Sequence, residues 1–317
     1  MIEQKIHFVT GKGGVGKSCV ALALAKHLSQ KGLSVLLIEL GQISFFTDHL
    51  QIPISYAPLQ WKQNLSIAIW SGADCLKEYA LHLLKIEALY NLFFENKLSK
   101  SLIEVAPSLP ELSILGKITS GLRKVGPPLK FDCIVVDGFS TGHMISLLKA
   151  PRGMLEAIPI GPMGEQTRGI LEIIKNKNVC NYWITCLPEE LPVIESIELA
   201  QLLYNETQIK PHLVINKLLN QTEIDSLQGS SDSELKFINT LKNKIIFEKS
   251  LINQLIESDC FKKFELNNIS KSNTSNSSDF LQIPFFYESN SEILLDLMST
   301  PFFPLNLNFE FKEYQTL

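Results

Sequence analysis

A glycine-rich loop between a strand pattern and a helix pattern constrains the fold of this chain more than any other stretch. The loop reads Gly11-Lys12-Gly13-Gly14-Val15-Gly16-Lys17-Ser18. Residues 5–10 before it alternate as a strand does, and residues 18–30 after it carry apolar side chains at helical spacing. A strand, a glycine loop and a helix in this order predict an α/β fold in which helices flank a mostly parallel, twisted sheet.

The spacing of the loop predicts a phosphate site, because two glycines bracket four residues ahead of Lys17 and Ser18. Glycines permit positive φ angles, so successive N–H groups can point at phosphate oxygens near the positive end of the next helix. Lys17 would reach the β- and γ-phosphates, and Ser18 would offer its hydroxyl to Mg²⁺. The alternative is a chance glycine turn. The expected ATP contacts are Gly11, Gly13, Gly14, Val15, Gly16, Lys17, Ser18 and Cys19.

The composition of the 317 residues limits the expected partners and compartment. A net charge of −4 gives no support for a nucleic-acid partner. The six cysteines lack a framework spacing and no run of about 18 uncharged apolar residues occurs, which predicts a cytoplasmic protein without a transmembrane segment. We expect a single phosphate-loop domain over residues 1–317, with a mainly helical insertion at 46–128 and a flexible spacer at 267–280.

A second chemical element follows the buried strand pattern at residues 131–136. This pattern ends in Asp137, where a protein with a phosphate loop places the carboxylate that holds the magnesium shell. Ser18 and Asp137 are therefore the expected metal ligands. Further buried strand patterns are found at residues 34–40, 179–186 and 212–215.

Lys12 is not needed to form the phosphate cradle, and it marks a deviant form of the loop. The sequence thereby resembles the family of dimeric ATPases that includes ArsA, MinD, ParA and the tail-anchored-protein targeting ATPase. The resemblance implies a homodimer, or a heterodimer with a related ATPase, that encloses Mg·ATP. In such a dimer Lys12 reaches the partner's nucleotide and assists catalysis together with Lys17. The alternative is a solvated loop lysine.

The turn after Asp137 narrows this resemblance to one branch. Thr141-Gly142-His143 is similar to the switch II segment of the ArsA and tail-anchored-protein targeting branch, in which His143 would sit near the γ-phosphate. The run at residues 188–192 also resembles ArsA-like sequences. In the family, an asparagine at the position of Asn216 hydrogen-bonds the adenine edge, which suits an amide with a donor and an acceptor. A simple turn into a helix and an ordinary strand-ending asparagine are the alternatives.

The resemblance breaks after the strand pattern at 34–40. In the family, the residue two positions after Glu39 is commonly the aspartate that activates the attacking water. In this sequence that residue is Gly41. Glu39 could substitute as a catalytic carboxylate, but strand residues i and i+2 lie about 7 Å apart, a large displacement for in-line chemistry. Two functions therefore stay open: an ATP-hydrolysing switch coupled to a partner or cargo, and a nucleotide-binding regulatory protein with little or no hydrolysis.

The sequence does not identify a cargo. Cys180 and Cys186 would lie about 20 Å apart in an extended strand, too far apart to hold one metalloid ion. The broad apolar face at residues 74–96 predicts a packed helical layer, with a groove for an apolar ligand or a protein segment as the alternative.

Overall fold

A computed structural model describes residues 4–84, 108–126, 129–258, 261, 280–286 and 291–302. Strands and helices alternate along most of these residues. The strands are β1 (Lys5–Gly11), β2 (Val35–Leu40), β3 (Leu59–Lys62), β4 (Leu65–Trp70), β5 (Cys133–Ser140), β6 (Cys180–Cys186), β7 (His212–Leu218) and β8 (Phe280–Pro284). The helices are α1 (Lys17–Gln30), α2 (Phe45–Leu50), α3 (Gly72–Leu84), α4 (Leu109–Ile118), α5 (Ser120–Arg123), α6 (Thr141–Ala157), α7 (Gly161–Ile174), α8 (Glu190–Thr207), α9 (Gln221–Ser226), α10 (Asp232–Glu257) and α11 (Ser291–Ser299).

The strands form one sheet in the order β3-β4-β2-β5-β1-β6-β7-β8. Neighbouring strands are parallel, except that β3 pairs with β4 in the antiparallel sense. Strand β1 lies in the middle, hydrogen-bonded to β5 on one side and to β6 on the other. The loop that follows β1 therefore opens at the carboxyl edge of a parallel sheet, which is where α/β proteins bind ligands.

Apolar layers cover both faces of the sheet, because successive strand residues point to opposite sides. Ile6 and Phe8 of β1 face the layer that includes residues of α4, α6, α7, α8 and α10. Val9 faces the opposite layer, which includes residues of α1, α2 and α11. Glu39 and Asp137 continue the alternation of β2 and β5 and lie on the side of α1. Burial on both faces explains why these strands lack polar alternation.

The predicted fold class is confirmed, since the sheet is mostly parallel and helices flank it. Helix α10 was not predicted from the sequence, because much of that helix is polar. Its amino terminus does carry a readable signal: Ser231 accepts a hydrogen bond from the backbone of Glu234, whose side chain in turn bonds the backbone of Ser231. This reciprocal capping box is a known helix start.

The single-domain organisation stays a prediction. Within residues 46–128, β3 and β4 join the main sheet and helices α3 to α5 follow them, while 85–107 and 127–128 lie outside the described residues. The spacer predicted at 267–280 also lies outside them, apart from Phe280 at the start of β8. No described helix is both long enough and apolar enough to cross a membrane.

Candidate functional site

The glycine loop leaves the carboxyl end of β1 and is anchored against the neighbouring strand β6. Gly11 has a φ of 145°, and a Cβ atom at this position would lie 2.3 Å from the carbonyl oxygen of Thr185. Only glycine allows that approach. Gly13 and Gly14 are exposed at the tip of the loop, whereas Val15 is buried beneath it. The loop is thus fixed on the protein side and open on the solvent side.

Helix α1 begins directly after the loop with its amino terminus uncapped. Gly16 is the N-cap residue at a φ of 91°, with no side-chain cap and no acidic residue in the first turn. The first N–H groups and the positive end of the helix dipole are therefore available to an anion. The Lys17 amine donates a 3.0 Å hydrogen bond to the Lys12 carbonyl across the loop. Burial lowers the pKa of Lys17, and the Asp137 carboxylate opposes that shift.

Asn216, at the end of β7, lies under the glycine loop and supports it. Its side-chain Nδ2 donates to the carbonyl of Val15 at 2.9 Å, and its Oδ1 accepts from the backbone N–H of Lys217 at 3.0 Å. The residue is only 2% exposed, and a Cβ atom on Gly16 would lie 2.5 Å from Nδ2. This support of the loop was not predicted from the sequence, and the expected contact with adenine stays a prediction.

Ser18 and Asp137 meet below the loop. The Ser18 hydroxyl lies beside the Asp137 carboxylate, which is 6% exposed. Burial raises the pKa of Asp137 to about 7, Ser18 and Lys17 oppose this shift, and the negative charge of Glu39 adds to it. A hydroxyl and a carboxylate are oxygen donors of the kind that Mg²⁺ prefers, and buried negative charge favours a cation. The two residues thus fit the expected metal ion.

Glu39 lies beside Asp137 on the adjacent strand, but its carboxylate anchors the chain that follows β2. One oxygen accepts from the Ser44 hydroxyl at 2.6 Å and the other from the backbone N–H of Phe45 at 2.5 Å. Ser44 in turn caps α2 by accepting from the backbone N–H of Thr47 at 3.0 Å. Both oxygens of Glu39 are therefore used within the protein, and Gly41 supplies no side chain in their place.

Lys12 and His143 lie less deeply than Asp137. The Lys12 amine is 2.6 Å from a carboxylate oxygen of Glu195 on α8, and the two side chains are 31% and 36% exposed. His143 is exposed in the first turn of α6, where its ring stands edge-on to Phe139 with centroids 6.0 Å apart. Each of these side chains is accessible from outside the protein.

Three residues that organise the site were not predicted from the sequence. Glu195 holds Lys12 across 183 sequence positions, and the Thr185 carbonyl restricts Gly11 through tertiary packing, so neither contact has a local signal. Ser44 could have been found, because a serine before a helix is a frequent N-cap residue.

The described thiols lie apart from one another in the fold. Cys180 and Cys186 begin and end β6, and burial raises the pKa of each. Burial also raises the pKa of Cys19, the residue after Ser18. Among the residues that the structure describes, no group of three or more His, Cys, Asp or Glu side chains could hold a metal ion.

Comparison with known proteins gives one family and several relatives. The family described as "Anion-transporting ATPase" matches residues 4–159. The chain is 27% identical over 246 residues to "ATPase BagA" of Mycobacterium tuberculosis, covering 73% of this chain and 70% of that protein. It is 24% identical to the "ATPase ASNA1 homolog" of Cryptosporidium parvum, covering 72% of this chain and 69% of that protein. It is 25% identical to the "Arsenical pump-driving ATPase" of Escherichia coli, covering 62% of this chain and 32% of that protein.

Proposed function

This chain belongs to the anion-transporting ATPase family of nucleotide-binding ATPases, and we propose on that premise that it binds Mg·ATP at residues 11–18 and hydrolyses it. The observation that carries the proposal is the buried Asp137 carboxylate beside the Ser18 hydroxyl, in the first turn of a helix whose amino terminus is uncapped. Backbone N–H groups of the loop would hold the phosphates, and Lys17 would move from the Lys12 carbonyl to the β- and γ-phosphates.

Ser18 and Asp137 are the proposed ligands of the magnesium ion. When bound, Mg²⁺ neutralises phosphate charge and orients the terminal phosphate for attack. Asp137 can hold the ion in its ionised form, because a nearby cation lowers the pKa of a carboxylate. The Ser18 hydroxyl oxygen has lone pairs that can coordinate a metal while its hydrogen is donated to another group.

The second part of the proposal is a dimeric switch, in which Lys12 reaches the nucleotide of the partner subunit. Lys12 lies beside α8, where Leu191 and Ile194 are 63% and 46% exposed. Exposed apolar side chains beside an exposed lysine suit a face that associates only while nucleotide is bound. The γ-phosphate would need to favour the closed dimer by only a few kcal/mol to move most of the population. The helices attached to His143 would then transmit the change to a partner or cargo.

The alternative is a nucleotide-binding regulatory protein with little or no hydrolysis. One observation favours it: both oxygens of Glu39 are hydrogen-bonded within the chain, and Gly41 has no side chain that could orient water. In this alternative the loop, the magnesium ligands and the dimer are retained, and only the turnover is lost.

Calorimetric titration of the protein with ATP tests the binding part of the proposal. We expect saturable binding that requires Mg²⁺ for full affinity and that Lys17→Ala weakens at least about tenfold. Lys149→Ala removes an exposed lysine from α6 and serves as the control, with unchanged binding expected. Equal affinity of wild type and Lys17→Ala would contradict the proposed site.

A further inference from the structure

A cavity lies between helices α3, α4 and α7, apart from the residues of the proposed nucleotide site. Its empty volume is about 540 Å³ including the open mouth. The walls are mainly apolar and include Leu76, Leu112, Met163 and Ile170. An apolar molecule in this space would be removed from water, which is the main source of affinity in small-molecule sites.

One cation of the wall, Lys117, already has a partner. Its side chain is 7% exposed, and its amine is 2.9 Å from a carboxylate oxygen of Glu78. The amine also lies 3.6 Å from the ring centre of Tyr56 and 4.2 Å from that of Trp70. A carboxylate and two aromatic faces satisfy this cation within the protein, so Lys117 has a structural role.

The second cation, Arg123, hydrogen-bonds neutral groups among the described residues. Its Nε donates to the Thr119 hydroxyl at 2.9 Å, and one terminal nitrogen donates to the Gly116 carbonyl at 2.7 Å. Within the part of the chain that the structure describes, no carboxylate forms an ion pair with it. Burial lowers the pKa of Arg123, which reflects its partial removal from water. A partly desolvated guanidinium without an anion has donors left for one.

Among the described residues of the wall, the charged side chains are two cations, Lys117 and Arg123, and one anion, Glu78, which leaves one excess positive charge. The neutral polar side chains of the wall are satisfied nearby. The hydroxyl of Thr167 donates to the Met163 carbonyl at 2.8 Å. Three other polar side chains of the wall also pair within the protein: Ser113 with the Leu109 carbonyl, and Tyr79 with Gln166. Of the charged side chains in the described part of the wall, Arg123 is thus the one that a ligand could still recognise.

We propose that this cavity binds a small apolar carboxylate, with its hydrocarbon part among the apolar walls and its carboxylate at Arg123. A guanidinium recognises a carboxylate better than other anions of similar size, because its planar donors match the two carboxylate oxygens. The proposal does not depend on ATP binding or hydrolysis. It assigns this protein a second site, separate from the glycine loop.

Titration calorimetry with octanoate and octan-1-ol tests the proposal. The two probes share the hydrocarbon chain and differ in charge, and Mg·ADP is kept in excess so that octanoate does not compete for a phosphate site. We expect octanoate to bind about tenfold or more tightly than octan-1-ol. Arg123→Gln should remove that preference and leave the affinity for octan-1-ol unchanged. Arg152→Gln, which alters an arginine paired with Glu206 on the surface, should retain the preference.

A variant with a larger side chain in the cavity provides an independent test. Ser113→Leu adds an apolar side chain to the wall without touching Arg123 and should abolish binding of both probes, with folding checked by circular dichroism. The proposal is overturned if wild type binds octanoate no better than octan-1-ol or binds neither. It is also overturned if Arg123→Gln keeps the wild-type preference, or if the folded Ser113→Leu variant binds octanoate as wild type does.

Discussion

Lys12 and Glu195 form an ion pair within a single chain, with nitrogen and oxygen 2.6 Å apart. The pair joins the glycine loop to helix α8, and both side chains are partly exposed. If Lys12 acts on the nucleotide of a partner subunit, as proposed, it must first leave Glu195. The ion pair therefore competes with the contact that would close the dimer.

Weakening this ion pair should promote dimer formation. An exposed ion pair contributes about 0.2–1 kcal/mol, and a symmetric dimer would break two such pairs, so Glu195→Gln should lower the protein concentration for half-dimerisation by up to about thirtyfold. Sedimentation velocity with a non-hydrolysable ATP analogue and Mg²⁺ measures this concentration. Glu198→Gln, an exposed position on the same helix, is the control and should behave as wild type. If Glu195→Gln needs a higher protein concentration than wild type to dimerise, the ion pair does not compete with dimer formation and this prediction is wrong.

Asn216 offers a test between supporting the loop and reading the base. Asn216→Ala leaves the buried Val15 carbonyl without its 2.9 Å donor, which should weaken phosphate binding by roughly tenfold. If Asn216 supports the loop, Asn216→Ala should weaken the binding of ATP and of inorganic tripolyphosphate by the same factor, because both ligands bind the loop. If Asn216 contacts only the adenine, tripolyphosphate should bind Asn216→Ala as tightly as it binds wild type. Competition against a fluorescent nucleotide measures both affinities.

Asn216 also illustrates what the sequence can and cannot predict. The pattern of residues 212–215 predicts a strand, and the strand places an amide at the carboxyl edge of the sheet. The sequence cannot tell which group the amide meets, because Val15 lies 201 positions away. Glu39 is similar. Its strand is predicted, whereas its bonds to Ser44 and Phe45 depend on how the next loop folds back. The local sequence pattern predicts the strands and helices, whereas contacts between distant residues determine what each side chain does.

Asp137 should make the metal-free protein less stable as the pH rises. Burial raises its pKa to about 7 in the folded state, from 3.8, so the folded protein holds a proton that the unfolded chain has lost. Stability should therefore fall between about pH 4 and pH 7 and stay reduced above that. Asp137→Asn removes this cost and should stabilise the protein at pH 8 by roughly 2–4 kcal/mol, with little gain at pH 4.

Chemical denaturation in the presence of a metal chelator measures this difference. The same substitution should abolish the stabilisation that Mg·ADP gives to wild type, because it removes a proposed magnesium ligand. An Asp137→Asn variant that is less stable than wild type at pH 8 without metal would contradict the account of the buried carboxylate.

The partly buried side chain of His212 should contribute to acid sensitivity. Burial lowers the pKa of His212 to about 4, and its ring stacks on Trp183 with centroids 4.4 Å apart. The unfolded chain takes up the proton near pH 6.5, so stability is fully present above that pH and is lost as the pH falls toward 4. His212→Phe keeps the stacked ring and should flatten the slope of unfolding free energy by up to about 1.4 kcal/mol per pH unit.

The control for this prediction is His49→Phe, which changes an exposed histidine on α2. It should leave the slope between pH 6.5 and pH 4 as in wild type. An identical slope in His212→Phe and wild type would show that His212 is not the group that takes up the proton on unfolding.

Phosphate release under steady-state conditions tests the central claim most directly. The proposed ATPase predicts Mg²⁺-dependent release of phosphate from ATP by wild type, with loss of at least about a hundredfold in Lys17→Ala. Glu39→Gln separates a catalytic role of the carboxylate from its role in anchoring the chain after β2. The amide oxygen can still accept a hydrogen bond from Ser44 or Phe45, and only the negative charge is removed. The account predicts turnover by wild type that Lys17→Ala abolishes. Tight ATP binding without any phosphate release would contradict it and favour the regulatory alternative.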